Sequence, residues 1–313
     1  MVEQQNSYDV VVIGGGAAGL SGALVLARAR RSIVVIDSGS PRFTPAANIH
    51  GLLAQDGITP AEWLERGRSD VVRHGGRIAH GTVEAVTGGT EFAVTLADYR
   101  TIFARRLLVA SGLTDELPDI PGLGERWGRD VLHCPYCHGW EVRDQAIGVL
   151  ATGPLSAHQA LLLRQWSDDV TFFSHGTPFL SEDDRERFAA RGIRVVDGDV
   201  MSLEVVDDRL AGVRLADGAV VSREALVVSP RMVARARFLS GLGLHPVDHP
   251  AGAGQYIPSD STGRTEVPGI WVAGNVTDLA AQVAGATAAG AVAAAQINAD
   301  LVDEETHLAL VSG

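Results

Sequence analysis

The sequence predicts an α/β protein with two Rossmann-like units. A glycine-rich strand–turn–helix–strand pattern opens the chain, and a degenerate copy follows residue 145. Gly and Ala are heavily used, which suits tight turns and close helix–sheet contacts. With 313 residues, 46% hydrophobic and 20% charged, the chain is long enough for two domains and has the profile of a soluble globular protein.

The first unit begins with Tyr8-Asp9-Val10-Val11-Val12-Ile13, a run apolar enough to be a buried strand. Gly14, Gly16 and Gly19 then form G-x-G-x-x-G, with Ala17 and Ala18 inside it, and Leu20 to Arg28 reads as a helix. Ser32 to Ile36 is the next strand, closed by Asp37. Each part has a physical reason. Gly14 permits the tight turn, Gly16 leaves room for a pyrophosphate, and Gly19 lets helix and sheet approach. The helix N-terminus faces the phosphates, and Asp37 can accept from a ribose hydroxyl.

Arg106 to Gly112 is another buried strand, ending in Ala110-Ser111-Gly112. Pro118, Pro121 and Gly122 break the pattern and predict a boundary near residue 115. In the second unit, Ala146–Leu150 and Asp169–Phe173 are strands and Ala157–Trp166 is a helix. Here Ala151, Gly153 and Ser156 stand where the first unit has its three glycines. Residues 194–228 alternate short apolar runs with Asp and Gly and predict a β-meander. Ile270 to Asn275 is a last strand. The sparsely charged helix Val283 to Leu301 is expected to be mostly buried.

The formal net charge of -12 argues against nucleic acid and anionic lipid as partners. The first residues show no basic leader and no apolar run long enough to span a bilayer, so the expected location is cytoplasmic. Both cysteines lie in HCPYCHGW, residues 133–140. Cys-x-x-Cys-His suits haem attachment, Cys with His suits zinc, and Cys-x-x-Cys suits a thiol–disulfide redox pair. Haem attachment belongs to exported chains, and the spacing matches no common zinc pattern. The redox pair is therefore favoured, with no metal.

Together with Ala273-Gly274-Asn275, these motifs make the chain resemble the thioredoxin-reductase-like FAD-dependent pyridine-nucleotide-disulfide oxidoreductases. The likeness covers almost the whole chain. It implies an FAD domain built from residues 1–115 and 246–313, with a smaller domain, 116–245, inserted and carrying the Cys-x-x-Cys pair. It implies that Gly14, Gly16, Ala17, Ala18, Gly19 and Asp37 hold the FAD pyrophosphate and ribose. Ala110, Gly274 and Asn275 would line the same cofactor, with Asn275 where the family usually has Asp. Gln282 and Val283 would pass the flavin ring, and Asn48 would lie in the loop over it.

Two departures carry information. The inserted fingerprint has lost two glycines and gained Pro154, and no arginine follows Phe173 to take a 2′-phosphate. That argues against NADP as a working cofactor. The second departure is His138, which follows the second cysteine where thioredoxin reductases usually have Asp. Cys-Pro-Tyr-Cys-His-Gly-Trp resembles the branch that forms the disulfides of gliotoxin-like and holomycin-like metabolites, passing electrons to O2. The resemblance thus implies an FAD-dependent oxidase of a small-molecule dithiol. Cys134, Cys137 and His138 would be catalytic, His138 as general base titrating near neutrality. His133 is read as structural. A homodimer is implied too, with Trp63-Leu64 and the last helix as interface or core. The competing readings are an NADPH-dependent thioredoxin-type reductase, a ferredoxin-fed reductase, and a flavin-bound redox sensor.

Overall fold

The computed structural model describes residues 6–176 and 180–312. The first five residues, on which the absence of a leader was read, lie outside the described residues, as does Gly313.

Ser7–Ile13 is central in the larger sheet. It pairs in parallel with Ile33–Asp37 on one side and Thr101–Val109 on the other. Arg77–His80 extends the sheet beyond Ile33–Asp37. At the other side Ile270–Val272 pairs in parallel with the second half of Thr101–Val109, Ile270 opposite Leu107. One sheet therefore draws strands from both ends of the chain. Val83–Gly88 and Phe92–Leu96 add an antiparallel hairpin against the first half of Thr101–Val109. Val10, Val11 and Val12 are all fully buried, because this strand is covered on both faces.

The second sheet is parallel and lies between these ends in sequence. Its order is Arg194–Val196, Val170–Phe173, Ile147–Leu150, Ala225–Val228, Val131–Leu132. A small sheet of Leu113–Glu116, Arg231–Ala234, Gly254–Tyr256 and Val247–Asp248 spans the boundaries expected at 115 and 246. The division of the chain at those points is retained as a proposal.

The expected meander is smaller than the sequence suggested. Only Val200–Val206, Arg209–Leu215 and Val220–Val221 form it. Ala225–Val228 is buried at every residue and belongs to the parallel sheet, as its unbroken apolar run allows.

Helix Ala17–Arg28 packs on the last helix, Val283–Ser312, through backbone-close contacts. A Cβ at Gly290 would sit 2.0 Å from the Ala18 carbonyl oxygen, so only glycine fits this crossing. The last helix corrects the expectation that Val283 to Leu301 is mostly buried. Only the stripe Ala286, Gly290, Ala293, Ala294, Ile297 and Leu301 is buried. Val292, Val302 and Leu308 are exposed, because a helix packed on one side covers one face whatever its composition. Its last turns are held by Glu304 and Glu305, which pair with Arg105, Arg106 and Arg31. Leu64 is core, and Trp63 stands edge-on to Phe43 beside that core. Among the described residues no helix is long and apolar enough to cross a membrane.

Candidate functional site

A cavity of about 710 Å³ runs from the first glycine turn to the Cys-x-x-Cys segment. Gly14, Gly16, Ala17, Ala18 and Asp37 line one end, with Ala110 beneath them. Cys134, Cys137 and His138 line the other, and Asn48, Gly274, Asn275, Gln282 and Val283 border it from two loops. The fold thus brings every predicted site residue to one space except Gly19, which does not line it.

The glycines divide into different tasks. Gly14 has φ +106°, and a Cβ there would meet the Ala110 carbonyl oxygen at 2.3 Å. Gly19 packs helix on turn: its Cβ would fall 1.8 Å from the Gly14 oxygen. Around Gly16 a Cβ would meet nothing within 4 Å, so this position opens into the cavity. Gly15 was missed, because it occupies a variable position of the motif. A Cβ on it would lie 2.6 Å from the Asp37 carboxylate, so it lets Asp37 stand against the turn. The open turn, the helix starting at Ala17 and the Asp37 carboxylate fit the pyrophosphate and ribose of FAD. Arg68 donates to Asp37 at 3.3 Å and was also missed.

Asn275 is more occupied than expected. Its amide donates to the Asp278 and Ala281 carbonyls, both at 2.9 Å, and its oxygen accepts from Arg42 at 3.3 Å. It thereby shapes the loop leading to Gln282. Arg42 also forms a fork with Asp115 at 2.9 and 2.7 Å, tying the 41–50 loop to the strand Leu113–Glu116. With its amide turned to satisfy its bonds, Asn48 donates to the Gly57 and Ala47 carbonyls. It closes its own loop.

Cys134 and Cys137 are joined in a disulfide. Pro135–His138 is a short helical turn that Cys134 caps, accepting from the Cys137 amide at 3.2 Å. Once the disulfide opens, that amide stabilises a Cys134 thiolate. Both cysteines are partly buried.

Burial pushes the pKa of His138 down, the Glu141 carboxylate pulls it up, and His50 pushes it down. Glu141 stands 3.4 Å from His50, whose other nitrogen lies 3.6 Å from Asp56. Glu141 and His50 carry no sequence signal and were missed. Burial likewise lowers His133, and Arg42 lowers it further. Both rings are therefore held neutral at neutral pH, and a neutral ring accepts a proton.

The second fingerprint is built differently. Ser156 is fully buried, and its hydroxyl accepts from the Thr152 and Gly153 amides at 3.2 and 3.3 Å. The helix here is Ser156–Leu163, whereas the first unit's helix begins at Ala17, the position that matches Pro154. His175 accepts from the Val200 amide, and Asp184 forms a capping box with Ser181.

A model of the pyridine nucleotide-disulphide oxidoreductase family matches residues 8–296. The chain is 31% identical to thioredoxin reductase tcpT of Claviceps purpurea (strain 20.1), over 95% of this chain and 96% of that one. It is 29% identical to thioredoxin reductase sirT of Leptosphaeria maculans, over 93% of each. Among solved structures, HlmI superposes with a TM-score of 0.92 at 48% identity, covering 99% of this chain and 97% of that one. An oxidoreductase from Agrobacterium tumefaciens gives 0.89 at 37% identity, covering 95% and 99%.

Proposed function

The chain belongs to the pyridine nucleotide-disulphide oxidoreductase family, and within it we propose an FAD-dependent oxidase of a small-molecule dithiol. One observation carries this reading. The redox disulfide shares a cavity with an open dinucleotide turn, while the second dinucleotide turn is filled by the chain itself. Gly14, Gly16, Ala17, Ala18 and Asp37 would hold FAD, which would supply the two-electron chemistry linking the cysteine pair to O2, with hydrogen peroxide the expected product.

The chain's own steps are thiol–disulfide exchange. A substrate thiolate attacks the Cys134 sulfur, the Cys134–Cys137 bond breaks, and Cys137 leaves as a thiolate. The second substrate thiol then attacks the mixed disulfide, closing the product's disulfide and releasing Cys134. Two electrons and two protons have moved to the enzyme. His138 accepts a proton from the attacking thiol. The resemblance also implies a homodimer, and we retain that as a proposal.

The test uses purified holoenzyme without oxygen. The dithiol form of a disulfide-bridged metabolite is expected to bleach the flavin, and NADPH is not; air restores the colour with peroxide formed. The names of the relatives favour a second reading, a thioredoxin-type reductase. Rapid bleaching by NADPH would establish it. Stable cysteine oxidation with no repeated turnover would mean a sensor.

A pH dependence follows from His138. The sequence placed its limb near neutrality; burial shifts it to the acid side. The base works when neutral, so the rate rises as pH rises through its pKa. Glu141→Gln removes the group that raises this pKa, so the limb moves to lower pH. His50→Gln removes one that lowers it, so the limb moves up. Anaerobic flavin bleaching by dithiol, followed against pH, reads both. A limb unmoved in both variants would remove His138 from the role of base.

A further inference from the structure

We propose that the second dinucleotide turn no longer serves a nucleotide and instead positions the redox-active turn. The positioning role concerns the cysteine segment itself and holds for an oxidase or a reductase, whereas the loss of the nucleotide rests on the oxidase reading.

A dinucleotide turn binds pyrophosphate with backbone amides that the fold leaves unpaired. In this turn two of those amides are taken and a third is missing. The Thr152 and Gly153 amides donate to the Ser156 hydroxyl. Pro154 has no amide hydrogen at all. Ser156 occupies the place of the third glycine, and its side chain is sealed from solvent. A phosphate arriving here would have to displace a buried hydroxyl from two donors, and burial makes that exchange unfavourable. The first turn is the internal control. At Gly16 the same turn opens into the cavity, and nothing of the chain lies within 4 Å of a Cβ placed there.

The filled turn is wired to the cysteines. The Thr152 hydroxyl donates to the Ser229 carbonyl at 2.6 Å. The Ser229 hydroxyl donates to the Gln159 side-chain oxygen at 2.6 Å. The Gln159 amide then donates to the His133 carbonyl at 3.1 Å. His133 immediately precedes Cys134. Gln159 is only 8% exposed, so its two bonds have no water to replace them. The strand before this segment adds a second hold, with Leu132 registered opposite Val227. Thr152, Ser229 and Gln159 thus fix the backbone from which Cys134 projects. Gln159 is a positioning residue. It touches no reacting atom and acts through the His133 carbonyl.

Thiol–disulfide exchange requires three sulfurs nearly in line, so a small displacement of Cys134 slows it. Gln159→Leu keeps the volume and removes both hydrogen bonds. Holoenzyme is mixed with dithiothreitol under argon, quenched in acid and alkylated. Mass spectrometry then gives the rate at which the Cys134–Cys137 disulfide opens. The reagent closes its own disulfide as the enzyme gains an electron pair, so alkylated thiols and bleached flavin are counted together and no oxygen or nucleotide enters. We expect Gln159→Leu to slow opening by about tenfold, with flavin content as in the parent. Ser229→Ala, which frees the Gln159 oxygen only, should slow it less and in the same direction. It also provides the readout if Gln159→Leu does not fold. Parental rates in the variants that fold would overturn the positioning role. NADPH binding to the parent holoenzyme at micromolar concentration, seen by calorimetry, would overturn the loss of the nucleotide site. The opening rate involves neither O2 nor a nucleotide, so the positioning role stands or falls apart from the oxidase reading.

Discussion

Cys137→Ser is expected to abolish dithiol-dependent turnover, by at least about a thousandfold. The two sulfurs are the redox unit, and each depends on the other. Without Cys137 no enzyme disulfide exists for a substrate thiolate to open, and Cys134 alone holds no oxidising equivalent. Serine matches cysteine in shape, so the turn capped by Cys134 should persist. Cys134→Ser should also stop turnover, and the contrast between the two variants is informative. If Cys137 is the sulfur facing the flavin, its thiolate gives a long-wavelength charge-transfer absorbance in Cys134→Ser and none in Cys137→Ser. The reverse pattern would exchange the roles proposed for the two cysteines. Undiminished turnover in Cys137→Ser would end the disulfide mechanism altogether.

Features set by local sterics were legible in the sequence. The first glycine turn was legible because a Cβ would fall 2.3 Å from backbone at Gly14 and 1.8 Å from it at Gly19, so no other residue fits. The strand Ser7–Ile13 was legible because burial on both faces demands the unbroken apolar run of its second half, Val10 to Ile13. Pairs distant in the chain were not legible. Arg42 and Asp115 stand 73 residues apart and lie in no periodic pattern. The same holds for Gln159 and the His133 carbonyl, 26 residues apart. A charged or amide side chain in a loop signals nothing until the fold supplies its partner. Ser156 and Pro154 fall between these cases. The sequence marked them as departures from a nucleotide motif, and only the structure placed the Ser156 hydroxyl on the Thr152 and Gly153 amides. The exposed face of the last helix escaped because composition records how apolar a helix is, and neighbours decide which side is covered.

The glycines of the first turn give the second large effect, and they separate folding from cofactor binding. Gly19→Ala places a methyl where the Gly14 carbonyl oxygen already stands. The turn cannot yield, because Gly14 is itself pressed against the Ala110 carbonyl. The helix cannot withdraw either, because on its other side the Ala18 backbone lies against Gly290. Overpacking with no route of relief costs about 2–4 kcal/mol. For a chain of this size that lowers the melting temperature by roughly 3–6 °C. Gly16→Ala meets open space, so the polypeptide should melt as the parent does while the added methyl enters the cavity where a pyrophosphate would lie. Melting is compared on flavin-stripped protein, since bound cofactor stabilises by mass action and would mix the two effects. Flavin retained after gel filtration gives the second axis. The expected pattern is a destabilised, flavin-poor Gly19→Ala beside a stable, flavin-poor Gly16→Ala. Full flavin in Gly16→Ala would move the cofactor away from this turn. Parental melting in Gly19→Ala would mean that the helix and turn adjust to each other in a way their close contacts do not allow for.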